Sequence, residues 1–192
     1  MAKLYFRYSS MNAGKSIDLI KTNFNYNERG QNTLVLTSDL DNRYDKNQIT
    51  SRIGLSTPAF SMKDDDDILS LFKKQNNDNI ISCVLVDEVQ FFTKKQIYQL
   101  SDIVDYYEVP VICYGLRSDF LMESFNGSKY LLTICDSIEE LKCVCWCGKK
   151  ATTNARLVNG KIAKSGEQIH IGGNESYISL CRKHYKEGKI SN

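Results

Sequence analysis

Ser9-Ser10-Met11-Asn12-Ala13-Gly14-Lys15-Ser16 decides how the fold is read. An apolar segment, Leu4-Tyr5-Phe6, precedes it and a helix-like segment, Ile17-Asp18-Leu19-Ile20, follows. Strand, tight loop, Gly-Lys-Ser and helix is the arrangement that cradles a nucleotide polyphosphate. Backbone N–H groups of such a loop converge on the anion, and the helix N-terminus adds its dipole. In this pattern Lys15 reaches the outer phosphates and the Ser16 hydroxyl ligates Mg²⁺. Ser9 occupies a position where the pattern has glycine. Gly-Lys-Ser alone is common, and a strand-to-helix turn with a solvated lysine would carry the same residues, so a second signal is needed.

Cys83-Val84-Leu85-Val86-Asp87-Glu88, preceded by Ile80 and Ile81, supplies it. A short apolar run rich in β-branched residues reads as a strand buried on both faces of a parallel sheet. An acidic pair at the end of such a strand is where a phosphate-loop protein keeps its magnesium carboxylate. Asp87 is expected to hold Mg²⁺ through a water, which leaves Glu88 for another task. Acidic pairs also end ordinary strands. This one lies about 70 residues after a Gly-Lys-Ser loop, with a strand between, and the combination favours the nucleotide reading.

The chain has 192 residues, 42% apolar and 25% charged, which suits one α/β domain with a small appendage. A net charge of +2, evenly spread, argues against a duplex nucleic-acid partner. No apolar run approaches the ~20 residues that span a bilayer. With no signal-peptide pattern either, the expectation is a soluble cytoplasmic protein without a membrane partner.

The segments alternate. Strands are expected at Lys3–Arg7, Thr33–Thr37, a stretch ending at Asp87, and Val109–Tyr114. Helices are expected at Lys15–Glu28, closed by Gly30, and at Lys95–Tyr107, where Ile97, Leu100, Ile103 and Val104 recur at helical spacing. The four aspartates Asp64 to Asp67 could hold a metal, but acidic residues before Ile68 and lysines at Lys73 and Lys74 read better as a helix matched to its dipole. Ser38 to Ala59 reads as polar and irregular. Repeated β-α-β alternation predicts a parallel sheet flanked by helices, with ligands at the carboxyl ends of the strands. The composition changes after Leu141, which predicts a P-loop nucleotide-binding domain over 1–140 and a small zinc-binding domain over 141–192. Lys186 to Asn192 reads as a polar tail.

Seven cysteines are present. Cys83, Cys113 and Cys135 stand singly in apolar surroundings and read as core residues. Cys143-Val144-Cys145-Trp146-Cys147-Gly148 and Cys181-Arg182-Lys183-His184 read as two halves of a metal site. Cys181 and His184 have the spacing of a zinc half-site; the other half is Cys145 with Cys147, or Cys143 with Cys147. Three thiolates and an imidazole suit a closed, structural Zn²⁺.

Together these motifs resemble the thymidine kinases that pair a P-loop domain with a small zinc-bearing domain. The resemblance runs through Met11 to Ser16, Asp41-Asn42-Arg43, Asp87 to Phe91, Tyr114 to Phe120, Cys145 to Ala151, Gly166 to Gln168, Ile171 to Glu175, and Cys181 to His184. The compact Cys-x-Cys knuckle and Ser9 look like a bacterial and phage branch of that family. The resemblance implies transfer of the γ-phosphoryl group of ATP to the 5′-hydroxyl of thymidine or deoxyuridine, with Mg²⁺ and a structural Zn²⁺. It places Glu88 as catalytic base, Lys15 and Arg43 as stabilisers of the transferring group, and Asp41 as the partner of Arg43 or of the metal shell. Asp87 and Gln90 join the loop Ser9 to Ser16 around the nucleotide. Met11, Phe91, Leu116, Phe120, Phe125 and Tyr177 line the base. The loop from about Lys164 to Gly173, with His170, Ile171 and Gly172, resembles the family's lasso, which grips a pyrimidine by main-chain hydrogen bonds. Asn154 aligns with a threonine beside the 5-methyl group in the vertebrate pattern. A homotetramer inhibited by thymidine triphosphate is also implied.

Two other readings use the same residues. In a P-loop ATPase or GTPase, Glu88 would activate water instead of an alcohol. In a zinc-knuckle nucleic-acid module, Lys149, Lys150, Arg156, Lys161 and Lys164 would meet the phosphates.

Overall fold

The structure is a computed structural model that describes residues 1–40, 47–169 and 176–192. Asp41, Arg43, His170, Ile171 and Gly172 therefore lie outside the described residues.

In chain order the first part comprises β1 (Leu4–Ser9), α1 (Lys15–Glu28), β2 (Asn32–Ser38), β3 (Gln48–Thr50), β4 (Ser56–Pro58), β5 (Phe60–Met62) and α2 (Ile68–Asp78). It continues with β6 (Ile81–Val86), a 3₁₀ turn (Val89–Phe91), α3 (Lys94–Tyr107), β7 (Val111–Leu116), α4 (Asn126–Ile134) and β8 (Ser137–Glu140). A six-stranded sheet has the order β5-β2-β6-β7-β1-β8, and every pairing in it is parallel.

Strand alternation explains why the sheet needs cover on both sides. Leu36, Val84, Val86, Val111 and Cys113 face a core completed by Ile68 and Phe72 of α2, Ile97 and Leu100 of α3, and Leu131 of α4. Val35, Cys83, Leu85, Ile112 and Tyr114 face the other way, onto Leu19 of α1. Cys83 and Cys113 are core residues with burial-raised thiols, while Cys135 is only partly buried.

α1 runs from Lys15 to Glu28 as expected, and Gly30 follows its cap with φ 70°. Among the four aspartates, Asp67 caps α2 by accepting from the Ser70 N–H at 2.7 Å. That bond holds its carboxyl below the usual range.

Two expectations for this first part need correction. Ser38–Ala59 is not irregular throughout, because β3 and β4 form an antiparallel hairpin within it. Its turn is stapled by Ser51, whose N–H donates to Leu55 O at 2.7 Å and whose Oγ accepts from the Leu55 N–H at 3.0 Å. Neither the edge strand β5 nor β8 is among the four expected strands.

The second part comprises β9 (Cys143–Val144), β10 (Lys150–Ala151), β11 (Thr153–Val158), β12 (Lys161–Ile162), β13 (Tyr177–Leu180) and α5 (Arg182–Glu187). β9 and β10 pair as a knuckle, and β12-β11-β13 form an antiparallel sheet. Lys186 and Glu187 belong to α5 and not to a tail; Gly188, with φ 71°, ends the helix. Among the described residues, no helix is long and apolar enough to cross a membrane.

Candidate active site

The phosphate loop leaves β1 at Ser9. Ser9 still pairs with Leu116 in the sheet and is absent from the residues with positive φ, so a side chain fits where the pattern has glycine. Gly14, at φ 79°, does need its conformational freedom. Lys15 is buried, and its Nζ donates to Ser9 Oγ at 3.0 Å and to Ser10 O at 3.2 Å. Ser10 Oγ is buried with no hydrogen-bond partner among the described residues.

β6 delivers the acidic pair beside this loop. Ser16 Oγ donates to Asp87 Oδ2 at 2.8 Å. Burial, and then the neighbouring charge of Glu88, push the Asp87 carboxyl up to about 7, against the Ser16 hydrogen bond. A carboxylate oxygen and a hydroxyl oxygen side by side are hard donors that fit Mg²⁺.

Glu88 turns the chain out of the strand. Its φ of 49° is left-handed, which costs a non-glycine residue about 1 kcal/mol. Glu88 Oε2 accepts from Gln90 Nε2 at 2.5 Å, and Gln90 Oε1 accepts from the Leu116 N–H at 3.0 Å. A Cβ at Gly115 would lie 2.7 Å from that Oε1, so the glycine lets Gln90 reach β7. Gln90 thus holds the carboxylate against the sheet.

A cavity of about 440 Å³ opens beyond. Its lining joins Met11 to Ile17, including Asn12 and Ala13, and Glu88, Gln90 and Phe91 to a largely aromatic recess of Leu116, Phe120, Phe125 and Tyr177, with Asn154, Gln168 and Ile169. Phe91 and Phe125 meet edge-on, their centroids 5.7 Å apart. Thr50 to Ile53 of the hairpin form a further wall that the sequence reading missed.

Arg156, read in the sequence only as one of several basic residues, is buried behind the aromatic end. Its guanidinium lies 3.8 Å from the centroid of Phe120. It donates to Tyr177 Oη at 2.9 Å, to Glu167 O at 2.8 Å and to Gln168 O at 3.1 Å. Gln168 Nε2 donates in turn to Asp119 Oδ2 at 2.9 Å. The segment entering the expected lasso is therefore tied down at two points.

The metal constellation is also assembled. The ligating atoms of Cys145, Cys147, Cys181 and His184 all lie within 4.8 Å of one another. Burial raises the Cys145 thiol, but the backbone N–H groups of Cys147 and Cys181 and the contact with His184 outweigh it and bring it down to about 6. Cys143 is not in the group, and its Sγ lies 3.9 Å from Val144 O. Trp146 stacks on His184 at 4.2 Å. This soft, closed donor set is compatible with tetrahedral zinc.

A phosphate loop, an acidic pair and an aromatic recess around one cavity mark the class as a P-loop nucleotide-binding protein. Comparison with known proteins narrows the class. The family model for thymidine kinase matches residues 2–185. A thymidine kinase of Haemophilus influenzae is 52% identical over 188 residues, 97% of each chain. One of Mannheimia succiniciproducens is 51% identical over 195 residues and the full length of both chains. One of Shewanella oneidensis is 51% identical, over 97% of this chain and 98% of its own. The chain belongs to the thymidine kinase family. Its activity is the phosphorylation of thymidine, and the family implies ATP as donor.

Proposed function

We propose that the phosphate loop Ser9 to Ser16 holds ATP while the aromatic recess holds thymidine or deoxyuridine with its 5′-hydroxyl at Glu88. Glu88 lines the same cavity as the phosphate loop and the aromatic recess and is anchored there through Gln90, and this carries the reading. Glu88 accepts the 5′-hydroxyl proton and orients the oxygen toward the γ-phosphorus. Because the transition state for phosphoryl transfer is loose, orientation is the larger part of that task. Lys15 and the loop N–H groups stabilise charge on the transferring group.

Ser16 and Asp87 would hold Mg²⁺, which would supply fixed positive charge for the transferring phosphoryl group. Cys145, Cys147, Cys181 and His184 would hold a structural Zn²⁺. The family resemblance supports Arg43 as a further cation at the phosphates, with Asp41 as its partner or as part of the metal shell. It also supports main-chain contacts from His170, Ile171 and Gly172 to the base. Met11, Phe91, Leu116, Phe120, Phe125 and Tyr177 close around the ring. A main-chain reading of the base edge favours thymine and uracil over cytosine, because cytosine exchanges a donor and an acceptor.

The same resemblance supports a homotetramer under feedback inhibition by thymidine triphosphate. A cytoplasmic site of action, without nucleic-acid or membrane partners, accords with the small net charge.

Glu88→Gln tests the assignment. It should keep affinity for a non-hydrolysable ATP analogue while kcat falls by roughly 10²-fold or more. Undiminished turnover would remove Glu88 from this role.

A further inference from the structure

β11 and β13 are antiparallel neighbours, in a register that sets Asn154 opposite Ser179 and Arg156 opposite Tyr177. Alternate residues of a strand share a face, so all four side chains leave the same side of the ribbon. Asn154, Arg156 and Ser179 are buried there, and buried polar groups need partners. Arg156 and Tyr177 serve the nucleoside end. Asn154, which also lines the cavity, and Ser179 reach the phosphate loop. Asn154 Oδ1 accepts from the Met11 N–H at 2.7 Å, and Ser179 Oγ donates to Met11 O at 2.7 Å. Asn154 Nδ2 also donates to Ser118 O at 3.3 Å. Two facing side chains thus grip the amide and the carbonyl of one loop residue.

Met11 immediately precedes Asn12, which has a left-handed φ of 65°. The loop is therefore held beside the bend that aims its following N–H groups. The ribbon that holds it also carries the wall of the nucleoside recess.

We infer that Asn154 and Ser179 are positioning residues for phosphoryl transfer. They fix the phosphate loop at Met11 against the strands that carry Arg156 and Tyr177, so that donor and acceptor meet in register. This rests on the proposed placement of ATP and nucleoside on either side of Glu88. A misplacement of about 1 Å can cost ~10²-fold in rate, whereas neither side chain is needed to bind the triphosphate itself.

The test uses the full-length, zinc-loaded protein with Asn154→Ala, Ser179→Ala, the double variant and Ser179→Thr. Measured are kcat, KM for thymidine, calorimetric affinity for adenylyl imidodiphosphate, zinc content and Tm. Each alanine variant should lower kcat roughly tenfold or more, with analogue affinity within about threefold of the parent and zinc content unchanged. The double variant should lose little more than the worse single one, because both side chains act on one residue. Ser179→Thr keeps the hydroxyl and should recover most of the lost rate. If Asn154→Ala does not fold, the Ser179 pair carries the test. Unchanged kcat with a lowered Tm would overturn the inference and leave a purely structural clamp. Failure of the underlying reading would show separately, as a Glu88→Gln variant with undiminished rate in the same assay.

Discussion

Asp87 sits where β6 ends, almost sealed from solvent, with Glu88 next in the chain and Ser16 bonded to it. Desolvation and the Glu88 charge raise its carboxyl to about 7, so the folded protein retains a proton that the unfolded chain has lost. The contribution is fully present below the ordinary carboxyl range near pH 4 and is lost as pH rises through about 7. A divalent cation needs the ionised oxygen. Binding of Mg·ATP at pH 6 should therefore release up to about one proton per site, and almost none at pH 8. Calorimetry in buffers of different ionisation enthalpy measures this, and Asp87→Asn should abolish it. Pairing the loop with this carboxylate was legible in the sequence because both motifs sit at strand ends. The use of Arg156 was not. Its partners are main-chain carbonyls of residues 167 and 168 and the ring of Phe120, and no spacing rule points an arginine at carbonyls.

At the scale of elements, the packing of α4 on the 3₁₀ turn after Glu88 depends on one hydrogen atom. A Cβ at Gly127 would lie 2.2 Å from Val89 O, 3.0 Å from Phe92 O and 3.1 Å from Gln90 O. Backbone cannot yield as a side-chain tip can. Gly127→Ala should cost about 1–3 kcal/mol in chemical denaturation, and should lower kcat by displacing Gln90 and Glu88; an unchanged stability would contradict this packing. α1 was readable to the residue, since Gly14 and Gly30 mark its two ends. The β3–β4 hairpin was not, because Gln48–Thr50 and Ser56–Pro58 are three residues each and show too little alternation to register. β8 is half acidic, Ser-Ile-Glu-Glu, and becomes a strand only because the edge of β1 is there to receive it. The knuckle spacing left Cys143 and Cys145 open, and only the folded chain gathers Cys145 with the other three residues.

Across the whole molecule, the Cys/His cluster is linked to the cavity not only through β13 but also through a side chain of α5. α5 follows Cys181 and contains His184; the next residue, Tyr185, donates its hydroxyl to Phe120 O at 2.6 Å. Phe120 is the ring on which Arg156 stacks. Loss of the proposed zinc should therefore loosen the aromatic recess from behind. Cys181→Ser should lose bound zinc, lower Tm and raise KM for thymidine while leaving affinity for an ATP analogue nearly unchanged. Metal analysis and steady-state kinetics check this, and the emission of Trp146, the single tryptophan, should change with metal content because it stacks on His184. Zinc content and KM that both stay at parental values would refute the linkage.

Glu88 is proposed to serve a nucleoside alcohol bound in the same cavity as the triphosphate. The most direct test is the initial rate of phosphoryl transfer from Mg·ATP to thymidine, deoxyuridine, deoxycytidine and deoxyguanosine, beside a control without nucleoside. The 5′-monophosphate should form rapidly from the first two alone, with little ATP hydrolysis in the control. ATP hydrolysis at one rate whichever nucleoside is present would contradict it, and would mean that Glu88 serves water instead.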